Sequence, residues 1–138
     1  MYIIICLDDN NGLAFNHRRQ SQDRIVAEDI RKTVGEKKLW ITDYSRKLFQ
    51  AVSNLEISEN QKEKAKEGEY VFQELETLDT GDKRIEQFII YRWNRVYPAD
   101  VSVEIGAEWK LTETEEFSGF SHEKIWQVRS ICLTLCRV

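Results

Sequence analysis

Two stretches of the chain carry side chains suited to binding or proton transfer. Asn16-His17-Arg18-Arg19-Gln20 sets two guanidiniums and an imidazole in a row, and Asp23 follows shortly after. Arg92-Trp93-Asn94-Arg95, with Tyr97 close behind, sets two more guanidiniums among aromatic rings. Guanidinium forks hold phosphate or carboxylate through paired hydrogen bonds, and aromatic faces stack on flat rings. If Asn16, His17, Arg18, Arg19 and Asp23 converge with Arg92, Asn94 and Arg95, they suit a nucleotide-like or heterocyclic anion. His122, in Ser121-His122-Glu123, adds a group that titrates near neutrality and can move a proton. Each feature also has a purely structural explanation. Loop arginines pair with surface glutamates, Trp93 fills a small core, and a loop histidine bonds to backbone. Cys6 lies inside an isoleucine run, where a thiol is inert.

The elements that must position these residues are legible from pattern. Residues 2–7 form a continuous apolar run with three isoleucines, as expected of a strand buried on both faces. Asp8-Asp9-Asn10-Asn11-Gly12 is a turn, after which Leu13, Ala14 and Phe15 return to the core. The polar row is then a loop at the carboxyl end of a strand, opening into a helix, where α/β proteins bind ligands. Ser21 or Asp23 caps that helix; Val26, Ile30 and Val34 give it an apolar stripe, and Gly35 stops it. Leu39-Trp40-Ile41 is a second strand, and Asp43 caps a second helix with Tyr44, Leu48, Ala51 and Val52 inward. Strand, helix, strand, helix implies a parallel pair.

Further along, residues 54–58 read as a short peripheral strand. Residues 59–69 hold Ala65 as their one apolar side chain, with Ser58 and Gln61 as a capping box and Gly68 as a stop, so they form a surface helix or a mobile excursion. Tyr70-Val71-Phe72 and residues 88–91 are strands; residues 74–87 are ambiguous. Val101, Val103 and Ile105 alternate as a half-buried strand, and residues 124–138 form a long final one. The expected architecture is α/β: a mixed central sheet with flanking helices and closing antiparallel strands, in one domain over residues 1–138.

Composition narrows the function classes. With 138 residues, 41% hydrophobic and 32% charged, the chain builds a real core and a charged surface. The net charge of −4 argues against general nucleic-acid or anionic-membrane binding, so any anion site is a local patch. No stretch has the length of a membrane span, and the opening residues lack the basic start of a signal peptide. Cys6, Cys132 and Cys136 are an odd set at strand positions, expected of reduced core thiols in a cytoplasmic protein. No metal centre is expected from two lone histidines and these thiols.

The order of elements, with these residues, resembles dihydrofolate reductase. IIICLDDNNGLAFN is similar to that family's first strand and following loop. DRIVAEDIRK with LWITDYSRKLF is similar to its first helix, second strand and second helix. FIIYRWNRVYPADVSVEI and EWKLTETEEF are similar to its closing stretches. The resemblance covers about two-thirds of the chain, at its two ends. It implies a pterin-binding carboxylate at the start of the first helix, matched here by Asp23 with Glu28 and Asp29 as rivals. The family's Gly-Arg-x-Thr, which holds cofactor phosphates, is matched by Thr42-Asp43-Tyr44-Ser45, and its later glycine pair by Gln73-Glu74-Leu75. Tyr91 stands where a threonine is expected. The chain is also shorter than the family, with the loss in the cofactor half. The resemblance therefore implies a retained fold and lost NADPH binding, with no cofactor. A two-metal nuclease of the ribonuclease Z kind is excluded, because His17 and His122 cannot supply its His-x-His-x-Asp-His motif.

The expectation that follows is a cytoplasmic domain binding a small anionic or heterocyclic ligand, nucleotide- or pterin-like, without NADPH. A non-enzymatic protein-interaction domain on the same fold is the alternative, and an RNA-processing accessory factor a third. Ligand identity, reaction and oligomeric state stay open.

Overall fold

The isoleucine run of β1 (Tyr2–Leu7) ends at the turn that carries Asp8, and the chain doubles back as β2 (Gly12–Phe15) and β3 (Arg18–Arg19). The computed structural model describes residues 1–118 and 129–137; His122 lies outside the described residues. α1 (Arg24–Val34) follows, then β4 (Leu39–Ile41), a 3-10 helix (Asp43–Phe49) and β5 (Leu55–Ile57). A one-turn α2 (Gln61–Lys64) leads to β6 (Tyr70–Gln73), β7 (Gln87–Arg92), β8 (Val101–Ser102), β9 (Trp109–Ser118) and β10 (Arg129–Arg137).

Seven strands form one mixed sheet in the order β5-β4-β6-β1-β7-β10-β9, and β3-β2-β8 form a small second sheet. β1 runs parallel to both β6 and β7, with Ile3 opposite Val71 on one side and Phe88 on the other. β10 closes the sheet antiparallel to β7 and β9. Strand period two sends alternate residues to opposite faces. Ile4, Phe72, Ile89 and Tyr91 pack on the face shared with Val26 and Ile30 of α1. Ile3, Ile5, Val71, Phe88 and Ile90 pack on the other face, with Leu13 and Trp109. Both faces are buried, which is why the central strands read as unbroken apolar runs.

Several local expectations need correction. The polar row is not an open loop: Asn16 and His17 have φ of 52° and 60° and form the tip of a tight hairpin that pairs Phe15 with Arg18 and Ala14 with Arg19. Phe15 is 49% exposed, because β2 packs through Leu13 and Ala14. The second helix is 3-10, with Thr42 at its cap position; Tyr44 and Ala51 face outward, while Phe49 and Val52 face the core. The capping box over residues 58–61 does not form, since the Ser58 hydroxyl accepts from the Asn60 N–H instead. Residues 74–86 contain no helix or strand, and the strand expected over 101–105 shrinks to Val101–Ser102.

The acidic run at 113–116 lies within β9 on the sheet edge, and Glu113, Glu115 and Glu116 are exposed. The β9–β10 ladder is irregular between Thr134 and Leu135, and the Thr112 hydroxyl donates to the Thr134 carbonyl at 3.2 Å. At the other edge β5 is three residues long. No helix among the described residues is long and apolar enough to cross a membrane.

Candidate functional site

The face of β1 and β6 that meets α1 ends in a cleft lined by Cys6, Asp23, Val26, Phe49, Phe72 and Trp93. Asp23 is placed there by its role as N-cap of α1: its backbone is extended, and Oδ1 accepts from the Ile25 N–H at 2.7 Å. Oδ2 of the same carboxylate is buried and has no partner. A second recess shares Cys6, Ser21, Phe72 and Trp93 with the cleft and continues to Arg19, Gln20 and Glu74. Gln20 Oε1 is likewise buried without a partner. Both orphan atoms are acceptors, so the group missing from each is a donor. The two recesses measure about 20 and 10 Å³, room for roughly one water each.

Arg19 closes this region instead of standing ready for an anion. Its Nε and Nη2 grip Glu74 at 2.8 and 3.1 Å, and Nη2 also reaches the Tyr44 carbonyl at 3.3 Å. The guanidinium stacks on the Tyr44 ring at 4.3 Å, and the buried Ser45 hydroxyl donates to Glu74 at 2.6 Å. The hairpin is thereby fastened to the 3-10 helix and to the end of β6. The positive charge that sequence placed at a ligand site is neutralised within the protein.

Asp8 organises the other end of the polar row. Oδ1 accepts from the N–H groups of Asn10 and Gly12, both at 2.8 Å. Oδ2 accepts from the Gln20 amide at 3.0 Å and the Tyr97 N–H at 3.1 Å. Burial on its own would raise the pKa of this carboxyl. The N–H groups of Tyr97, Gly12 and Asn10, with Gln20, outweigh burial and hold it below the ordinary aspartate value.

The remaining candidates take other places. Arg18 is exposed beside the hairpin tip formed by Asn16 and His17. Arg92 donates to the Asp8 carbonyl at 2.8 Å, and the Arg95 carbonyl accepts from the Asp9 N–H at 2.8 Å, so this arginine stretch braces the turn after β1. Asn94 is an exposed turn residue with φ of 58°. Trp93 lines the cleft, whereas Tyr97 serves Asp8 through its backbone. Of the rival carboxylates, Glu28 is exposed and bonded to Arg31, and Asp29 accepts from the buried Tyr91 hydroxyl at 2.6 Å. Asp23 alone of the three lines the cleft. Asp43 is exposed and paired with Arg46 at 2.8 Å.

Sequence reasoning missed Gln20 as a site residue and Glu74 as its neighbour. In the sequence Glu74 stands only as a substitute for glycine; the pair it makes with Arg19 spans 55 residues and leaves no local signal.

No protein-family model matches the sequence, and no curated protein matches it. Among solved structures, a dihydrofolate reductase from Enterococcus faecalis, complexed with NADP(H) and RAB-propyl, aligns with a TM-score of 0.62. The alignment covers 99% of this chain and 95% of that one, at 10% identity, so the likeness speaks to the fold alone. The element order inferred from the two ends of the sequence agrees with it, and the chain has a dihydrofolate reductase-like fold.

Proposed function

We propose that the chain binds a small, flat heterocycle with N–H donors, pterin- or nucleobase-like, in the cleft at Asp23, and does so without NADPH. The observation that carries this reading is the buried, unpartnered Oδ2 of Asp23. A buried carboxylate oxygen without a donor is costly, and a ligand N–H relieves that cost through a charge-assisted bond. Gln20 Oε1 supplies a further acceptor, and Phe49, Phe72 and Trp93 supply apolar walls. The anionic part of the expectation gives way, because the orphan atoms are acceptors and Arg19 is already paired. The Asp43 N–H beyond the carboxyl end of β4 is given to Glu59, and the neighbouring Arg46 is spent on Asp43, so neither is free for a phosphate, which supports the absence of NADPH.

The cleft admits a ring only after Trp93 or the hairpin shifts, since about 20 Å³ holds one water. Calorimetry with pterin and adenine tests the reading. Binding should occur with at least one, and Asp23→Asn should weaken it about tenfold or more, the worth of a hydrogen bond to a charged group. NADPH at a hundred times a working Kd would add about 2.7 kcal/mol of stability if it bound; no rise in melting temperature is expected.

The closed volume of the cleft also favours a second reading, an interaction domain derived from the same fold. On that reading neither heterocycle binds at millimolar concentration, and Asp23→Asn stabilises the protein by removing an unpaired buried charge.

A further inference from the structure

We propose that a separate cavity, at the carboxyl ends of β4 and β6, binds the primary ammonium group of a small aliphatic amine. This cavity measures about 120 Å³, larger than either recess of the Asp23 cleft, and is lined by Thr42, Tyr44, Glu59, Gln61, Gln73 and Glu76 among others.

Gln61 points to the ligand class. It is 5% exposed, unusual for a residue in a polar surface segment. Its Nε2 donates to the Phe72 carbonyl at 3.0 Å and to Gln73 Oε1 at 3.3 Å. Those two acceptors fix the orientation of the carboxamide, because the flipped form would set Oε1 against two oxygens. Gln73 is held in turn by donating its own Nε2 to the Glu76 carbonyl. Both N–H donors of Gln61 are used, and Gln61 Oε1 is left buried with no donor.

The charges around it agree. Glu59 and Glu76 are exposed at the rim. Glu74 is matched by Arg19, and Lys62 is the cation among the lining residues. The balance of the lining is one negative charge. An anion would meet oxygen on oxygen. A divalent metal needs several converging ligands, and no group of three His, Cys, Asp or Glu among the described residues could hold one. An ammonium group carries three donors and one charge, enough for the two rim carboxylates and, once Gln61 shifts slightly, for its buried Oε1. Leu75 supplies an apolar wall for a short alkyl chain.

The test is a titration of the ¹⁵N-labelled full chain with putrescine, with ADP as anionic control and tetramethylammonium as a cation lacking N–H. Putrescine should shift the amides of residues 59–62 and 73–76 saturably, with a Kd of about 1 mM or tighter. Neither control should do so. The double variant Glu59→Gln/Glu76→Gln alters exposed side chains and should keep the fold while weakening putrescine at least about tenfold. Asp23→Asn should leave this binding unchanged, which separates it from the heterocycle site. No saturable shift at about ten times that Kd, equal shifts with tetramethylammonium, an unchanged affinity in the double variant, or ADP binding at these residues would each overturn the proposal.

Discussion

Asp8 and Asp23 bracket the same polar row, at 1% and 6% exposure, yet their carboxylates are used in opposite ways. The oxygens of Asp8 accept four hydrogen bonds from Asn10, Gly12, Gln20 and Tyr97. Asp23 accepts one, from Ile25, and keeps Oδ2 empty. A fully answered buried carboxylate is a fastener, because it ties together donors from several segments of the chain. A half-answered one keeps an acceptor in hand for a further donor. Burial alone does not tell the two apart; the count of donors does.

The comparison fails first if Asp8 proves dispensable. Asp8→Ala takes the acceptor from four donors, the buried Gly12 N–H among them, and should cost about 3 kcal/mol in urea unfolding. The pH dependence should follow. An aspartate in the unfolded chain titrates near about 3.9, and Asp8 in the folded chain lies lower. Its contribution is therefore present above the unfolded value and drains away as pH falls through the folded one. Asp8→Ala should flatten the acid limb of the stability curve below about pH 4. A variant that unfolds in acid along the same curve as the parent would remove Asp8 from its role.

Gly12→Ala attacks the same fastener from outside. A Cβ there would stand 2.7 Å from both Asp8 Oδ2 and Gln20 Nε2, and 2.9 Å from Ala99 Cβ. A loss of about 1–3 kcal/mol is expected, the usual range for overpacking. Arg19→Ala should cost about 2 kcal/mol by the same measurement. That sits below the range for breaking a fully buried pair, because the Arg19 side chain is 21% exposed. No change in stability there would mean that the hairpin is not fastened through Glu74.

The Asp23 variants should be the mildest. Asp23→Ala removes a helix cap, worth about 1 kcal/mol, while Asp23→Asn keeps a good cap and should stay within about 0.5 kcal/mol of the parent. If Asp23→Asn destabilised the fold as much as Asp8→Ala does, the contrast between the two aspartates would vanish, and the cleft with it.

What could be read in advance followed the range of the interactions involved. β1 and α1 were legible because the isoleucine run and the Val26, Ile30, Val34 stripe are written within a few residues. Asp23 as cap was among the local options for the same reason. The hairpin at Asn16-His17 had a local hint, since asparagine tolerates positive φ, but Arg18–Arg19 becomes a strand only by pairing with β2. The 3-10 helix turns Tyr44 outward, where its ring meets Arg19, a contact between residues 25 apart. Gln61 looked like surface because its segment is polar; the carbonyl that buries it belongs to β6. Groups satisfied by distant partners, such as Glu74 by Arg19 and Gln61 by Phe72, carry no local mark.

The large sheet ends at β5 on one side and at β9 on the other. An open strand edge invites a second chain to add itself, and a long flat one seeds fibres. Here one margin, β5, offers three residues, too few to template a ribbon. The other, β9, is long, but its ladder is broken in register near Thr112, and Glu113, Glu115 and Glu116 stand along it. A second copy docking there would bring like charges face to face on a kinked rail. The sheet is thus guarded against growth at both margins by different means, brevity at one and charge with a bulge at the other.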